Sequence, residues 1–359
     1  SKSLGNSPDP LDVIAQYGAD ALRFTIVYIA PVGQDIRYSN EKCEIGKTFA
    51  NKLWNACRFR QMQGEVSPEF RKLSDKTIAA LSADERWMLS KLDAAIDSID
   101  TALAEFRFHS AAHELYELVW SYFCDWFIEA EKVPMRAGDA DKERALAVLD
   151  YALYRILRLL HPFMPFITEE LAHQMGFLGD EETIMYADYP SCDQLNVSAE
   201  EVAAVDGKFE LVRGGRFLKS SYGLADNKKV KFFIMATAQQ VLDFLSAEKA
   251  SLMSLMNAED IEFSLSEYDS ANGAAPSQLC KSGTVYLPLN GLIDVAAECA
   301  KLEKQKKELT GWINGTKAKL SNERFVSKAP EQVVADARKQ LAELEEKLAR
   351  TEEMLNALK

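Results

Sequence analysis

Apolar positions recur every three or four residues over most of the first 175 positions. The stretches 41–63, 84–106, 109–132 and 141–175 carry the pattern over several turns each, which is the period of an amphipathic helix. Breakers separate them: Gly64-Glu65-Val66-Ser67-Pro68, the turn near Pro134, and Gly138-Asp139. Helices of these lengths with short connections predict an antiparallel bundle. Inside the fourth stretch stands His161-Pro162-Phe163-Met164-Pro165-Phe166. Proline removes a backbone donor and clashes with the preceding turn, so the helix should break there and restart near Thr168-Glu169-Glu170. At the start of the chain Asp9 reads as an N-cap with Pro10 at the first helical position. Leu11, Ile14, Ala15 and Leu22 follow at helical spacing.

Between 195 and 291 the pattern changes. A helix at 198–221 leads into Lys229–Ala236, rich in strand formers; a helix over 238–256 follows, and Ile261–Leu265 and Thr284–Leu289 read as further strands. A small α+β connector results, too short and too interrupted for a dinucleotide fold. From Val334 onward, Ala337, Leu341, Leu344, Leu348, Thr351, Leu355 and Leu358 step by three and four in alternation, the seam of a coiled coil. An earlier arm offers Val295, Leu302 and Leu309, then Ile313 and Leu320, with a phase shift near Gly311-Trp312. Asn322–Pro330 breaks the helix, so the arms should fold back as an antiparallel hairpin; about 29 residues at ~1.5 Å each give an arm on the order of 43 Å. The expected fold is mainly α: a helical bundle, a small α+β connector and a C-terminal antiparallel coiled-coil hairpin.

Composition narrows the class. With 359 residues, 47% hydrophobic and 27% charged, the chain reads as an ordinary soluble protein of two or three domains. It has no apolar run of roughly eighteen residues and no charged-then-apolar leader, so a cytoplasmic protein is expected. The six cysteines, at 43, 57, 124, 192, 280 and 299, are scattered without a Cys-x-x-Cys pair, which points to neither a zinc site nor a disulfide framework. A net charge of −13 argues as a sum against nucleic-acid binding. Its distribution argues the other way: 65–212 holds 13 basic against 29 acidic residues, whereas 213–231 holds six against one and 301–328 eight against three. Local basic faces are what a binder of folded RNA needs.

Asn51, Asn55 and Arg58 fall at i, i+4 and i+7, so two amides and a guanidinium share one helical face. Such groups hydrogen-bond base edges and phosphates, and Trp54 or Phe59 could stack on an unpaired base; the alternative is that the rings are core and the polar groups a solvated face. In the basic stretch, Arg213 and Arg216, with Lys219 and Lys228–Lys231 after them, could meet phosphates while Gly214 and Gly215 let backbone come close to a partner. Solvated surface is the competing reading. In the hairpin the candidates are Lys301, Lys304, Lys306, Lys307, Lys317, Lys319, Arg324 and Lys328, and Phe325 at the tip either stacks on RNA or packs the arms together. Asp125 and Glu129, one turn apart, read as surface charges rather than a catalytic pair. His109 and His113 have metal-ligand spacing, but no glutamate follows the first and no third ligand is evident, so a structural role is expected and no metal.

Six blocks in order resemble the valyl-tRNA synthetases over nearly the whole chain: Ser1–Arg23, Gly33–Ile36, Phe49–Phe59, Phe123–Glu129, His161–Leu171, and Pro288–Asp294 with Asn322–Pro330. The first of them is similar to the second signature loop of class I aminoacyl-tRNA synthetases, Lys-Met-Ser-Lys-Ser, lacking its first two residues. Gln34 and Ala172 depart from the family pattern, where arginine and tryptophan are usual. The early blocks also fit other class I synthetases of aliphatic amino acids. The terminal hairpin points to valine, since the cysteine-rich zinc module expected of a bacterial isoleucyl enzyme is missing.

The resemblance implies that Lys2 places an ammonium on the phosphates of ATP, with magnesium, where charge builds in the transition state. It implies a division into 1–40 (end of a catalytic domain), 41–194 (anticodon-binding bundle), 195–291 (connector) and 292–359 (tRNA-binding arm). The chain would then be the C-terminal, tRNA-binding part of a ligase that joins valine to its tRNA through valyl-adenylate. Without the nucleotide fold it would be inactive alone, binding valine tRNA but no membrane, no cofactor and no obligatory protein partner. The alternatives are another class I synthetase for an aliphatic amino acid, or a non-catalytic helical and coiled-coil interaction module.

Overall fold

Asp9 accepts a hydrogen bond from the Leu11 amide at 2.9 Å with Pro10 at the first helical position, and this cap opens α1 (Pro10–Tyr17). The computed structural model describes residues 9–31, 33, 39–193, 195–322 and 330–358. Lys2, Gln34, Arg324, Phe325 and Lys328 lie outside the described residues. Two compact units divide the chain, Ser1–Asp206 and Gly207–Lys359.

In the first unit α2 (Ala19–Tyr28), α3 (Cys43–Gln61), α4 (Asp75–Ala79), α5 (Ala83–Ala104) and α6 (Phe108–Glu117) follow α1. A π-helical segment, Leu118–Phe127, continues into α7 (Ile128–Glu131), and α8 (Pro134–Ala137), α9 (Asp139–Leu160) and α10 (Pro165–Gln174) complete the unit. The expected break falls between α9 and α10, where the amides of Phe163 and Met164 both turn back to the Leu160 carbonyl at 2.9 Å. Ser82 and Glu85 form a capping box at the start of α5, satisfying two donors that the helix leaves open. α2 and α3 touch backbone to side-chain position at Gly46, where a Cβ would collide with the Ala21 carbonyl; only glycine permits that approach.

α9 is buried on almost every side from Ala145 to Leu160, as a helix apolar all round must be. At its middle Asp150 holds Arg60 of α3 at 2.6 Å, with both side chains at most 2% exposed. Arg60 also donates to the carbonyls of Gly64 and Glu65, and the Ser67 amide donates to Asp150. The pair therefore fixes the loop after α3 as well as two helices. Burial pushes the Asp150 carboxyl above its ordinary range, opposed by Arg60.

The segment after α10 is anchored through Arg155, which donates to the Ser191 carbonyl at 2.5 Å and to Asp193 at 2.6 Å. Burial, with the charge of Asp93 next, pushes Asp193 up to about 6.

The division between units falls within α11 (Ala199–Ser221). Beyond it come β1 (Val230–Ala236), α12 (Gln239–Ala247), α13 (Lys249–Met256), β2 (Ala258–Ser264), β3 (Ser277–Cys280) and β4 (Gly283–Tyr286). The sheet order is β2-β1-β4-β3, with β1 parallel to β2 and antiparallel to β4, and with β3 and β4 forming a hairpin. Val230, Phe232, Ile234 and Ala236 alternate as buried residues of β1. Two sequence expectations are corrected here. The single helix over 238–256 is divided at Glu248, whose carboxylate turns to the buried Lys208 at 2.9 Å, and β3 is an additional strand.

α14 (Val295–Leu320) and α15 (Glu331–Ala357) run antiparallel. Leu309 and Ile313 pack with Leu344, flanked by Leu341 and Leu348. Leu302, Val334, Thr351, Leu355 and Leu358 extend the buried seam, so the alternating series marks the inner face of α15.

Asp150→Ala should lower unfolding stability by ~3–5 kcal/mol, because it strands a buried guanidinium. Urea unfolding checks this, and the double variant Arg60→Met/Asp150→Leu should recover most of the loss. A carboxyl whose folded pKa is raised binds its proton more readily in the folded state, so its contribution falls as pH rises from about 4 to about 6. Melting of Asp193→Asn relative to the native chain should therefore improve steadily between those pH values and be level above them.

Candidate nucleic-acid interface

α3 presents two faces of different character. Phe49, Leu53, Ala56, Cys57 and Arg60 are buried, while Asn51, Asn55 and Arg58 are exposed with Trp54 among them, 38% accessible. The amides, the guanidinium and the indole thus share one outward strip, as the spacing required. Phe59 is half-buried, with the Lys132 ammonium 5.5 Å above its ring. A cleft of about 480 Å³ adjoins the strip, lined by Tyr17, Lys47, Asn51, Trp54, Phe166 and Glu170. Its chemistry is mixed: Lys47 sits 5.5 Å over the Tyr17 ring, and Phe166 is 67% exposed.

Other candidates are engaged within the fold. Asp125 pairs with Lys52 at 2.5 Å and Glu129 with Lys132 at 2.6 Å. His113 stacks on Tyr28 at 3.9 Å with its Nε2 3.1 Å from the Tyr28 carbonyl, and His109 meets it edge-on at 4.3 Å. Among the described residues no group of three or more His, Cys, Asp or Glu side chains is placed to hold a metal ion.

The glycines of the basic stretch serve a different purpose from the one expected. A Cβ on Gly214 would lie 3.0 Å from Val285 Cγ1, and one on Gly215 would collide with Met256, so they let α11 settle on its own sheet and α13. Arg216 donates Nε and Nη2 to the Leu255 carbonyl at 3.0 and 2.7 Å, and the buried Lys219 donates to the carbonyls of Asp226 and Lys228. Arg213 and Arg216 are nonetheless exposed over much of their length.

On the arm, Lys306 reaches Glu352 at 2.8 Å and Lys317 reaches Glu345 at 2.7 Å, both across to α15. Lys304 and Lys307 are exposed. Two aromatic features escaped the sequence reading. Trp312 is 59% exposed on α14, at the phase shift that moves the seam from Leu309 to Ile313. Between α5 and α6, Phe106 is 73% exposed at φ 59° and meets Phe108 edge-on at 6.1 Å. A non-glycine residue at positive φ is uncommon, and nothing in the hydrophobic period announces it.

Family models match three stretches of the chain, none of which includes α3. The family model for class I tRNA synthetases (I, L, M and V) matches residues 1–39, that for the anticodon-binding domain of tRNA ligase matches 85–234, and that for the valyl tRNA synthetase tRNA binding arm matches 294–359. These matches, in that order along one chain, are those of a class I aminoacyl-tRNA synthetase. Curated valine–tRNA ligases are similar along nearly the whole chain: that of Chlorobaculum tepidum is 37% identical over 96% of it, that of Enterococcus faecalis 35% over 93%, and that of Staphylococcus carnosus 33% over all of it. Along nearly its whole length the chain is thus similar to the C-terminal part of valyl-tRNA synthetases. It spans 39%, 37% and 40% of the lengths of those relatives. Among the described residues no helix is long and apolar enough to cross a membrane.

Phe106→Gly should raise the melting temperature, because glycine occupies the left-handed region without the strain, on the order of 1 kcal/mol, that a phenylalanine bears there. A lower melting temperature would show that the exposed ring packs more than its contacts indicate.

Proposed function

We propose that this chain is the tRNA-binding part of a ligase that attaches valine to its tRNA at the expense of ATP, through valyl-adenylate. The observation that carries the reading is the outward strip of α3, where Asn51, Trp54, Asn55 and Arg58 are exposed together. Amide and guanidinium groups read base edges and phosphates, and an accessible indole offers a stacking surface. We assign the bundle, 41–194, to the anticodon end of the tRNA and the arm, 292–359, to a second contact, with 1–40 belonging to the catalytic domain and 195–291 connecting them.

On the arm the contact residues are Lys304, Lys307, Arg324, Phe325 and Lys328. Arg213 and Arg216 belong to the reading as exposed cations, Arg216 with part of its guanidinium already committed to Leu255. Lys2 acts on the ATP phosphates, with magnesium accompanying the nucleotide. A cytoplasmic location goes with this reading.

The test is binding of valine tRNA and isoleucine tRNA by the chain. Protection of the anticodon loop of the first but not the second is the expected result; equal or no protection would overturn the assignment. Arg58→Ala distinguishes the contact type. If Arg58 meets a phosphate, affinity falls for all tRNAs and the salt slope drops by about 1. A base-edge contact costs ~1–3 kcal/mol and acts mainly on the cognate tRNA.

A further inference from the structure

Trp312 stands on the outside of α14. Lys304, Glu308, Gly311, Trp312, Gly315 and Lys319 follow one another at steps of three and four, which sets them along one side of the helix, and all six are exposed. The buried seam of Leu302, Leu309 and Ile313 lies on another side. The indole is 59% exposed, and among the described residues it has no ring against it and no hydrogen-bond partner. Gly311 and Gly315 have open space where side chains would stand, so they leave the surface beside the ring uncovered. Lys304 and Lys319 pair with no carboxylate among the described residues, whereas Lys306 and Lys317, turned toward α15, close ion pairs with Glu352 and Glu345.

A position that served only solubility would carry a charged side chain, as its neighbours do. An indole left in water forgoes the apolar burial that aromatic side chains supply. Its surroundings say what would cover it. With Glu308 against Lys304 and Lys319 the strip is cationic, and 301–328 holds eight basic residues against three acidic. A flat π-face between two cations fits a nucleobase and its neighbouring phosphates; an apolar protein surface laid on the same strip would have to bury both ammonium groups unpaired. Along the helix axis Lys304 stands about 12 Å from Trp312 and Lys319 about 10 Å to the other side, so each can meet a phosphate flanking a base that lies on the ring.

We propose that Trp312 is the stacking contact of the arm: one exposed base of a tRNA lies on its indole while Lys304 and Lys319 hold phosphates on either side. The proposal rests on the reading of the arm as a tRNA-binding element and adds the mode of contact. Every base has a π-face, so such stacking tolerates any sequence, and phosphate contacts carry no sequence information. The face therefore adds affinity for tRNAs in general, and discrimination in favour of valine tRNA comes from contacts elsewhere.

The test uses the whole chain. Affinity for valine tRNA and for isoleucine tRNA, its salt dependence, tryptophan emission and melting temperature are measured for Trp312→Ala, Trp312→Phe, Lys304→Ala and Lys319→Ala. Trp312→Ala should bind both tRNAs about tenfold more weakly with native melting temperature and salt slope. Trp312→Phe should keep most of the affinity yet lose part of the emission quenching that tRNA causes in the native chain, and each lysine variant should lower the salt slope by about 1. Native affinity of Trp312→Ala for both tRNAs would overturn the proposal, as would a loss confined to valine tRNA, since an indole does not tell bases apart. A melting temperature lowered in Trp312→Ala and Trp312→Phe alike would assign the ring to packing of the hairpin, and self-association abolished by Trp312→Ala would assign it to a second copy of the chain; either result overturns the contact with RNA. A native chain that binds neither tRNA would instead fail the underlying reading, an outcome separate from any difference among the variants.

Discussion

The first unit depends on the interruption that Pro162 and Pro165 impose between α9 and α10. Uninterrupted, the apolar period of 141–175 would make one long rod; the prolines remove donors and turn the chain. Every backbone group released at such a break must find a partner or be left unsatisfied. His161 Nδ1 lies 2.8 Å from Thr168 Oγ1 across the break. α2 supplies partners for three backbone groups, the Ile167 amide through Asp20 and the Pro162 and Phe163 carbonyls through Arg23, over separations of 139 to 147 residues. The restart of a helix late in the unit therefore determines where an early helix must lie. α3 follows through its glycine contact with α2, and the outward strip of α3 follows from that.

Net charge is a poor guide to such a molecule because many of its cations are already engaged. Arg60, Arg144 and Arg155 face Asp150, Glu85 and Asp193, and Lys91 faces Asp206. In the arm the same division depends on helix position. Lys306 and Lys317 are close enough to the seam to meet glutamates of α15, whereas Lys304 and Lys307 are exposed. Exposed pairs of this kind contribute little to stability. Their greater effect is to decide which lysines remain available to an external anion.

The helices were legible because their apolar spacing is regular and, as at Asp9 with Pro10, an end carries its cap; the restart expected near Thr168 falls instead at Pro165. The strip of α3 was legible for the same reason: spacing alone assigns a face once the helix is granted. What escaped was set by tertiary contact. Glu248 ends α12 where Lys208 needs a partner, and β3 has too few residues to show a period. Gly214 and Gly215, inside the helix expected over 198–221, read as a place for a partner's backbone to come close, whereas the space they leave is taken by Val285 and Met256 of their own unit. Arg216 and Lys219 read as free cations until the carbonyls of Leu255, Asp226 and Lys228 are seen beside them. Phe106 is invisible to pattern, since its backbone is dictated by the turn between α5 and α6.

The arm shows how little core a binding element needs. Two helices can bury only one stripe each, and here that stripe is Leu302, Leu309 and Ile313 against Val334, Leu344, Thr351, Leu355 and Leu358. Gly311 and Gly315, poor helix formers, have open space around them, so what holds α14 helical there is the seam on its opposite side. The strict alternation in α15 therefore supports both helices, and the looser outgoing arm is free to vary on its outer face. That freedom accommodates Trp312 and the exposed lysines, which no folding requirement would place together.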